Sequence, residues 1–287
     1  MVDATWNPQP DGNVLALQID TGGNLYVGGS IGGHSRNGIA KITTSGAGSA
    51  DVSWDPDAAA ASPYWTVSVQ ALALNSAGNI YAGGSFASSG RQARNGVAKL
   101  STSGSGDADA NWNPAPDNNV TALAVGGSGD IYLGGPFAHI GGQARSGLAK
   151  IAAAGVGAVD VTWDPHPISH YNPAVSALAA DASGNVFVAG AWDPSPEYAP
   201  IFALALDGSG GVFVTGAISN IGGQARHGLA KLSAAGTGTA DATWNPDPLW
   251  NAGVNSIVNA VAVDAAGNAR RAHQHVLRND AERHRGA

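Results

Sequence analysis

Residues 120–165 read VTALAVGGSGDIYLGGPFAHIGGQARSGLAKIAAAGVGAVDVTWDP, and copies of this stretch account for most of the chain. They start near Val14, Val69 and Phe202, with a shortened copy at Val175 and a broken one at Val258. A Trp-Asx-Pro mark recurs at Trp6, Trp54, Trp112, Trp163, Trp192 and Trp244. Within one copy, VTALAV and DIYLGG have the length and apolar pattern of strands, and the Gly/Ser-rich GSGD between them suits a hairpin turn. SGLAKI reads as a third strand, ending on a lysine that can reach solvent, and VDVTW as a fourth. Four short antiparallel strands cannot bury both faces alone, and stacking such units around an axis solves the problem. A period of roughly 50 residues lies in the range of propeller blades. The expected fold is therefore all-β: a β-propeller of four-stranded antiparallel blades. It has five or six of them, one shortened and the closing one incomplete. The tryptophan after each fourth strand is expected to wedge between neighbouring blades, and the Asx-Pro after it to start a turn through its side chain.

Composition limits the function. The 287 residues carry 41 glycines, 15 prolines, 44% hydrophobic and only 12% charged residues, with a formal net charge of −7. Glycines at fixed places in short strands and tight turns explain that mix. Without the segment Arg270–Arg285, nine basic residues stand against nineteen acidic ones. An acidic body argues against a nucleic-acid partner, which needs clustered lysine and arginine. No apolar run is long enough to span a bilayer, so no membrane partner is expected. The absence of cysteine excludes disulfides and thiolate chemistry and leaves the compartment open. The opening residues VDATWNP show no export signal.

The elements GNIYAGGSF, RQARNGVAKL and ANWNP, in that order, resemble the delta-60 repeat family of bacterial β-propellers over roughly Asp3–Gly267. The resemblance implies a propeller, often part of a larger secreted or surface protein. It implies no established activity and brings no catalytic residues.

A single domain is expected over residues 1–269, with residues 3–8 serving as the fourth strand of the closing blade. Residues 270–287 break the pattern and hold five of the fourteen basic residues and three of the eight histidines. Where other copies continue after AAGN with a second and third strand, this one reads ARRAHQHVLRNDAERHRGA. Codons for HQHVLRNDAERHRG, with wobble bases free, encode in the next frame Thr-Ser-Thr-Phe-Ser-Gly-Met-Thr-Arg-Asn-Gly-Ile-Ala. That restores the Phe and Arg-Asn-Gly-Ile-Ala of the repeat. The expectation is a frameshifted remnant, and self-association through the incomplete closing blade.

Residues that break the repeat carry the functional candidates. Loops from a fourth strand to the next first strand should share a face with loops between second and third strands, and loops on a rigid scaffold are where function resides. The first set is aromatic: Tyr64 and Trp65, Tyr171, Tyr198 and Trp250. The second set adds His34, His139 and His227. Arg36, Arg94, Arg145 and Arg226 hold equivalent places in four copies. They read either as loop-fixing hydrogen bonds or as a ring of arginines for an anionic ligand. The sequences DTGGN at Asp20 and DASGN at Asp181 resemble half a calcium loop but lack the later bidentate acid, so they read as hairpin turns. Two functions follow. One is a binding or scaffold module taking a small molecule, glycan or partner protein at the aromatic loops, with Arg94, Arg145 and Arg226 beside them. The alternative is a metal-dependent hydrolase of esters, lactones or phosphoesters. In it, His139, Asp164, His166, His170 or His227 hold a divalent metal ion near the central channel and activate water.

Overall fold

A computed structural model describes residues 5–29, 37–62, 64, 66–165, 174–191, 201–207, 211–216, 220–221, 224–225, 229–233, 240–243, 258–263 and 269–273. These residues are all strand, bridge, turn or loop, and no helix among them is long and apolar enough to cross a membrane. The chain separates into two compact units, residues 1–198 and 199–287.

In the first unit, the repeat beginning at Val14 forms a three-stranded antiparallel sheet from Val14–Ile19, Asn24–Gly29 and Ile39–Thr43, in that order. The next repeat uses Ser68–Leu74, Asn79–Ser85 and Val97–Ser101 in the same way. The third uses Ala122–Val125, Ile131–Gly134 and Leu148–Ile151. The fourth strand of each is reduced to a single antiparallel bridge, Ile42 to Ala50, Leu100 to Ala108 and Ile151 to Val159. A fourth repeat contributes the hairpin Ala174–Ala180 and Val186–Ala191. In the second unit, Ile201–Leu206, Gly211–Gly216 and Leu229–Ser233 repeat the three-stranded order. The strand Val258–Val263 pairs with Ala269–His273. The sequence that departs from the repeat at Arg270 thus opens as the second strand of a hairpin.

The first hairpin turn is closed by an Asx side chain wherever that turn is described, except in the third repeat, which has Gly126 at that position. Asp20 accepts bonds from the Asn24 amide and side chain, both at 2.8 Å, and from the Tyr26 hydroxyl at 3.1 Å. Asp181 accepts the Asn185 amide and side chain in the same way, whereas Asn75 accepts the Asn79 amide and donates its own Nδ2 to the Tyr81 hydroxyl. These are hairpin turns, as the missing acid of a calcium loop indicated.

The paired glycines near the end of the second strand in the first three repeats have separate tasks. A Cβ on the first would lie 2.8 Å from the next repeat's valine at Gly28 and Gly83, and 2.4 Å at Gly134. These glycines therefore seat Val69, Val120 and Val175, all fully buried. A Cβ on the second would strike a carbonyl oxygen of the adjoining first strand, at 1.9 Å for Gly29 and 2.0 Å for Gly84. In these two repeats the ladder slips at the same level, between Val14 and Ala16 and between Val69 and Ala71. The glycine gives the bulged strand room.

The core lies at the junctions between repeats. Tyr26, Ile39 and Trp54 pack with Val69, Leu72 and Ile80, and Tyr81, Val97 and Trp112 pack with Val120, Leu123 and Ile131. Each tryptophan meets a tyrosine of its own repeat edge-on, Tyr26 to Trp54 and Tyr81 to Trp112 at 5.3 Å and Tyr132 to Trp163 at 5.2 Å. It donates forward to the next repeat: Trp54 Nε1 to Ser101 O at 2.8 Å, Trp112 Nε1 to Ala152 O at 2.9 Å. Trp6 does the same toward the first repeat, with Nε1 on Thr43 O at 3.1 Å. The wedge expected from the sequence is present, with a hydrogen bond added. The residue after the tryptophan joins the next repeat through its backbone. Asp55 N–H donates to Ser105 O at 3.0 Å and Asn113 N–H to Val156 O at 3.1 Å.

The third-strand lysines are not free in solvent. Lys99 meets Asp109 at 2.8 Å with 13% of its side chain exposed, and Lys41 meets Asp51 at 3.6 Å. They also reach forward, Lys41 Nζ to Thr102 O at 3.3 Å and Lys99 Nζ to Ala153 O at 3.1 Å. Two consecutive carbonyls of each following repeat are therefore held by one tryptophan and one lysine. The lysine cannot remain in water because the neighbouring repeat covers its stem and its charge must be paired.

These carboxylates set an acid limit. The Thr162 hydroxyl and the Lys150 ammonium hold Asp160 down at about 2. Lys99 lowers Asp109, and Ser53 lowers Asp51. A depressed carboxylate stabilises the fold fully above its unfolded value of about 3.9, and that stability disappears as pH falls through the folded value. Denaturant midpoints should hold steady down to about pH 4 and fall steeply toward pH 2. Asp160→Asn should make that fall shallower, and an unchanged slope would count against the pairing.

Candidate functional site

The entry loops and the hairpins between second and third strands do share a face. The loop that follows Trp54 is laced to the hairpin Ser88–Ser89/Gln92–Ala93: Ala87 and Ser88 N–H donate to Ala59 O at 2.7 and 3.1 Å, and Gly90 N–H donates to Pro56 O. The loop that follows Trp112 is laced to His139–Ile140/Gln143–Ala144: Asp117 N–H donates to His139 O at 2.9 Å, and Gly141 N–H to Pro114 O at 2.6 Å. Asn37 and Asn95, from the Arg-Asn-Gly turns, bond forward to Asp57 and to Pro116 O. The residue three places after the tryptophan takes a left-handed backbone in the three loops where it is described, Gln9 at φ 45°, Asp57 at 43° and Ala115 at 45°. That kink turns the chain onto the hairpin at a cost of about 1–2 kcal/mol for a residue with a side chain.

Tyr64 follows in the first of these loops, five residues beyond Ala59; it is 93% exposed, with its backbone N–H on Ser62 Oγ at 3.4 Å. A large aromatic held this far out of the core on a braced loop is available for stacking. In the second loop, Asp117 meets His139. Its Oδ2 lies 3.0 Å from His139 Nδ1, and its Oδ1 accepts the Ala138 N–H at 2.9 Å. Partial burial works to raise this carboxyl, but the bonds from His139 and Ala138 prevail and hold it below the usual carboxylate range. In the neutral ring, an Nδ1 proton donated to Asp117 leaves Nε2 as an acceptor, and Nε2 makes no hydrogen bond among the described residues.

Arg94 and Arg145 are buried and take the loop-fixing geometry. Arg94 donates Nη1 to Ala93 O and Nη2 to Asp109 O, both at 2.7 Å. Arg145 donates to Ala144 O at 2.7 Å and Asp160 O at 3.0 Å. Each pins the hairpin to its own fourth strand. Asp164 lies 3.6 Å from Arg145 Nη1, so this metal candidate faces a guanidinium. Among the described residues no three histidine or acidic side chains gather as a metal site. Trp65, Tyr171, Tyr198, Trp250, Arg226, His34, His166, His170 and His227 lie outside the described residues. Asp117 was not legible as a site residue. Its only sequence signal is its place three residues after the proline of WNP, in a loop that must cross a histidine-bearing hairpin.

No family model matches the chain, and no curated protein is similar to it. Solved structures are. Virginiamycin B lyase from Staphylococcus aureus is 13% identical over 93% of this chain and 79% of that one, with a TM-score of 0.52. These neighbours are β-propeller-like repeat proteins. The chain is a β-propeller. A catalytically inactive form of the same lyase with quinupristin has a TM-score of 0.45, at 14% identity over 73% of this chain and 64% of that one. The extracellular domain of a hybrid two component system from B. thetaiotaomicron has the same score, at 12% identity over 88% and 38%. At such identities the likeness concerns the fold, and a propeller hosts many unrelated functions.

Proposed function

We propose that this propeller is a binding module of the delta-60 repeat kind, taking a glycan, another small molecule or a partner protein on the face where entry loops meet hairpins. The observation that carries this is Tyr64, fully offered to solvent on a loop whose backbone is bonded to the hairpin beneath it. The loop is already fixed to the hairpin at Pro56 and Ala59, which lowers the ordering cost of binding there. Trp65, Tyr171, Tyr198 and Trp250 extend the same aromatic character along the sequence.

The metal-dependent hydrolase is the second reading, and His139 supports it. Asp117 holds the ring by Nδ1, the arrangement that orients a histidine for metal ligation or base catalysis at Nε2. Two measurements separate the readings. Fluorescence titration with maltohexaose and chitohexaose, used as flat-faced probes, should show binding that Tyr64→Ala weakens about tenfold, or about 1.4 kcal/mol. The melting point should not change. Metal analysis of the purified protein, with ester, lactone and phosphoester assays in the presence and absence of chelator, addresses the other. A tightly held ion lost with His139→Ala, together with chelator-sensitive turnover, would put the hydrolase first.

A further inference from the structure

The first strands slip their ladders at one residue. Pairing skips Leu15, Gln70 and Ser176 in the first unit, and Phe202 and Asn259 in the second. Thr121 holds the same place in the third repeat, immediately ahead of Ala122–Val125. Around this place the repeats barely differ: valine or isoleucine precedes it, and alanine then leucine or valine follow. The slipped residue alone changes character from one repeat to the next. Packing shows why it is released. Val69 and Leu72 pack toward the first repeat with Tyr26 and Trp54, whereas Ala71 and Ala73 pack toward the third with Val120 and Leu123. The strand changes faces between Val69 and Ala71, so Gln70 is committed to neither junction. Thr121 sits at the same change, between Val120 on one side and Ala122 on the other. A bulge re-aims a side chain in this way. The place adjoins the loop face, because Val69 pairs with Gly84 and the hairpin Ser88–Ser89/Gln92–Ala93 follows directly.

Three successive repeats of the first unit place an uncharged polar residue there, Gln70, Thr121 and Ser176. Gln70 is half-buried and Ser176 exposed, and neither side chain has a hydrogen-bond partner among the described residues. Thr121 Oγ lies 2.5 Å from Val175 O and 3.2 Å from Gly134 O, so its one proton is committed and its lone pairs remain. We propose that Gln70, Thr121 and Ser176 form a recognition row for an uncharged oligosaccharide. This rests on the reading of the loop face as a binding surface and selects one ligand class for it. A sugar hydroxyl both donates and accepts, and the row offers both: an amide with two donors and a carbonyl, a free hydroxyl, and the threonine lone pairs. An anionic ligand would need cations, and Arg94 and Arg145 give their Nη protons to backbone carbonyls. A protein partner would need apolar or arginine anchors, which these three residues do not supply. Tyr64, six residues ahead of Gln70, offers an exposed ring for stacking on a sugar.

The first repeat supplies a substitution that the strand tolerates, since Leu15 occupies the same slip. Gln70→Leu and Ser176→Leu should therefore leave the melting point unchanged. The full chain is applied to an array of neutral gluco-, manno-, galacto- and chito-oligosaccharides beside uronic-acid and sulfated ones. Neutral oligosaccharides should bind. Titration with the strongest of them should show each substitution weakening the complex about tenfold, and the two together more than either alone. Binding confined to the acidic set would overturn the inference. Binding to none of the array would overturn it as well and leave the face to a protein partner. Unchanged affinity in both substitutions, with a loss in Tyr64→Ala, would overturn the row while the loop-face reading stands. A loss in both substitutions with none in Tyr64→Ala would keep the row and remove the residue on which that reading rests.

Discussion

Trp112→Ala should destabilise the first unit by about 3–5 kcal/mol, the usual cost of truncating a large buried aromatic. The indole is fully buried, lies edge-on to Tyr81 and donates to Ala152 O of the following repeat. Removing it leaves a cavity between two repeats and a carbonyl without its donor. Both losses fall on one junction, so the neighbours cannot collapse to fill the space without separating the strands that hold them. Trp112→Phe separates the contributions. It keeps most of the volume and loses the hydrogen bond, and should cost about 1–2 kcal/mol. Urea denaturation followed by tyrosine fluorescence or circular dichroism measures both. An alanine variant with an unchanged midpoint would remove the wedge from the account of stability.

Gly84→Ala should be nearly as damaging, at about 3 kcal/mol or more, although it adds a single methyl group. The new Cβ would lie 2.0 Å from Ser68 O and 2.9 Å from Val69 Cα. Both are backbone atoms of the paired first strand, so no rotamer change relieves the contact, and the hairpin has to open at its bulge. Gly104→Ala is the control. It carries the cost of a positive φ, 62°, but a Cβ there meets nothing within 4 Å. The control should lose only about 1 kcal/mol. If the two variants melt together, the close approach at Gly84 is not what requires glycine there.

The contrast between these glycines shows how far the sequence could be read. The strands were legible because alternation, hairpin glycines and a fixed period all pointed to four-stranded units, and the tryptophan mark located the junctions. The lysines were not. Their acceptors, Thr102 O and Ala153 O, are backbone atoms that no residue type announces. The Asp117–His139 pair was missed for a related reason. Its members are 22 residues apart and meet only because a left-handed Ala115 turns the entry loop, at a residue whose identity gives no hint of that backbone. Arg94 and Arg145 allowed two readings because recurrence marks a structural role and a ligand ring alike. Only their burial and their bonds to the fourth strand distinguish the two.

The forward bonds also impose a direction on how the protein is made. Each described repeat from the first to the third passes a tryptophan to the next, or holds one from the repeat before it, and the carbonyls that receive Trp54 and Trp112 lie at or just beyond the end of the successor's third strand. During synthesis a repeat leaves the ribosome with its closing indole exposed, and stays so until roughly another 40 residues have been added. Folding therefore trails translation by about one repeat, with the boundary stepping along the chain as each indole finds its carbonyl. A nascent chain that has emerged from the ribosome as far as Trp112 holds the Trp54 junction closed and the Trp112 junction still open.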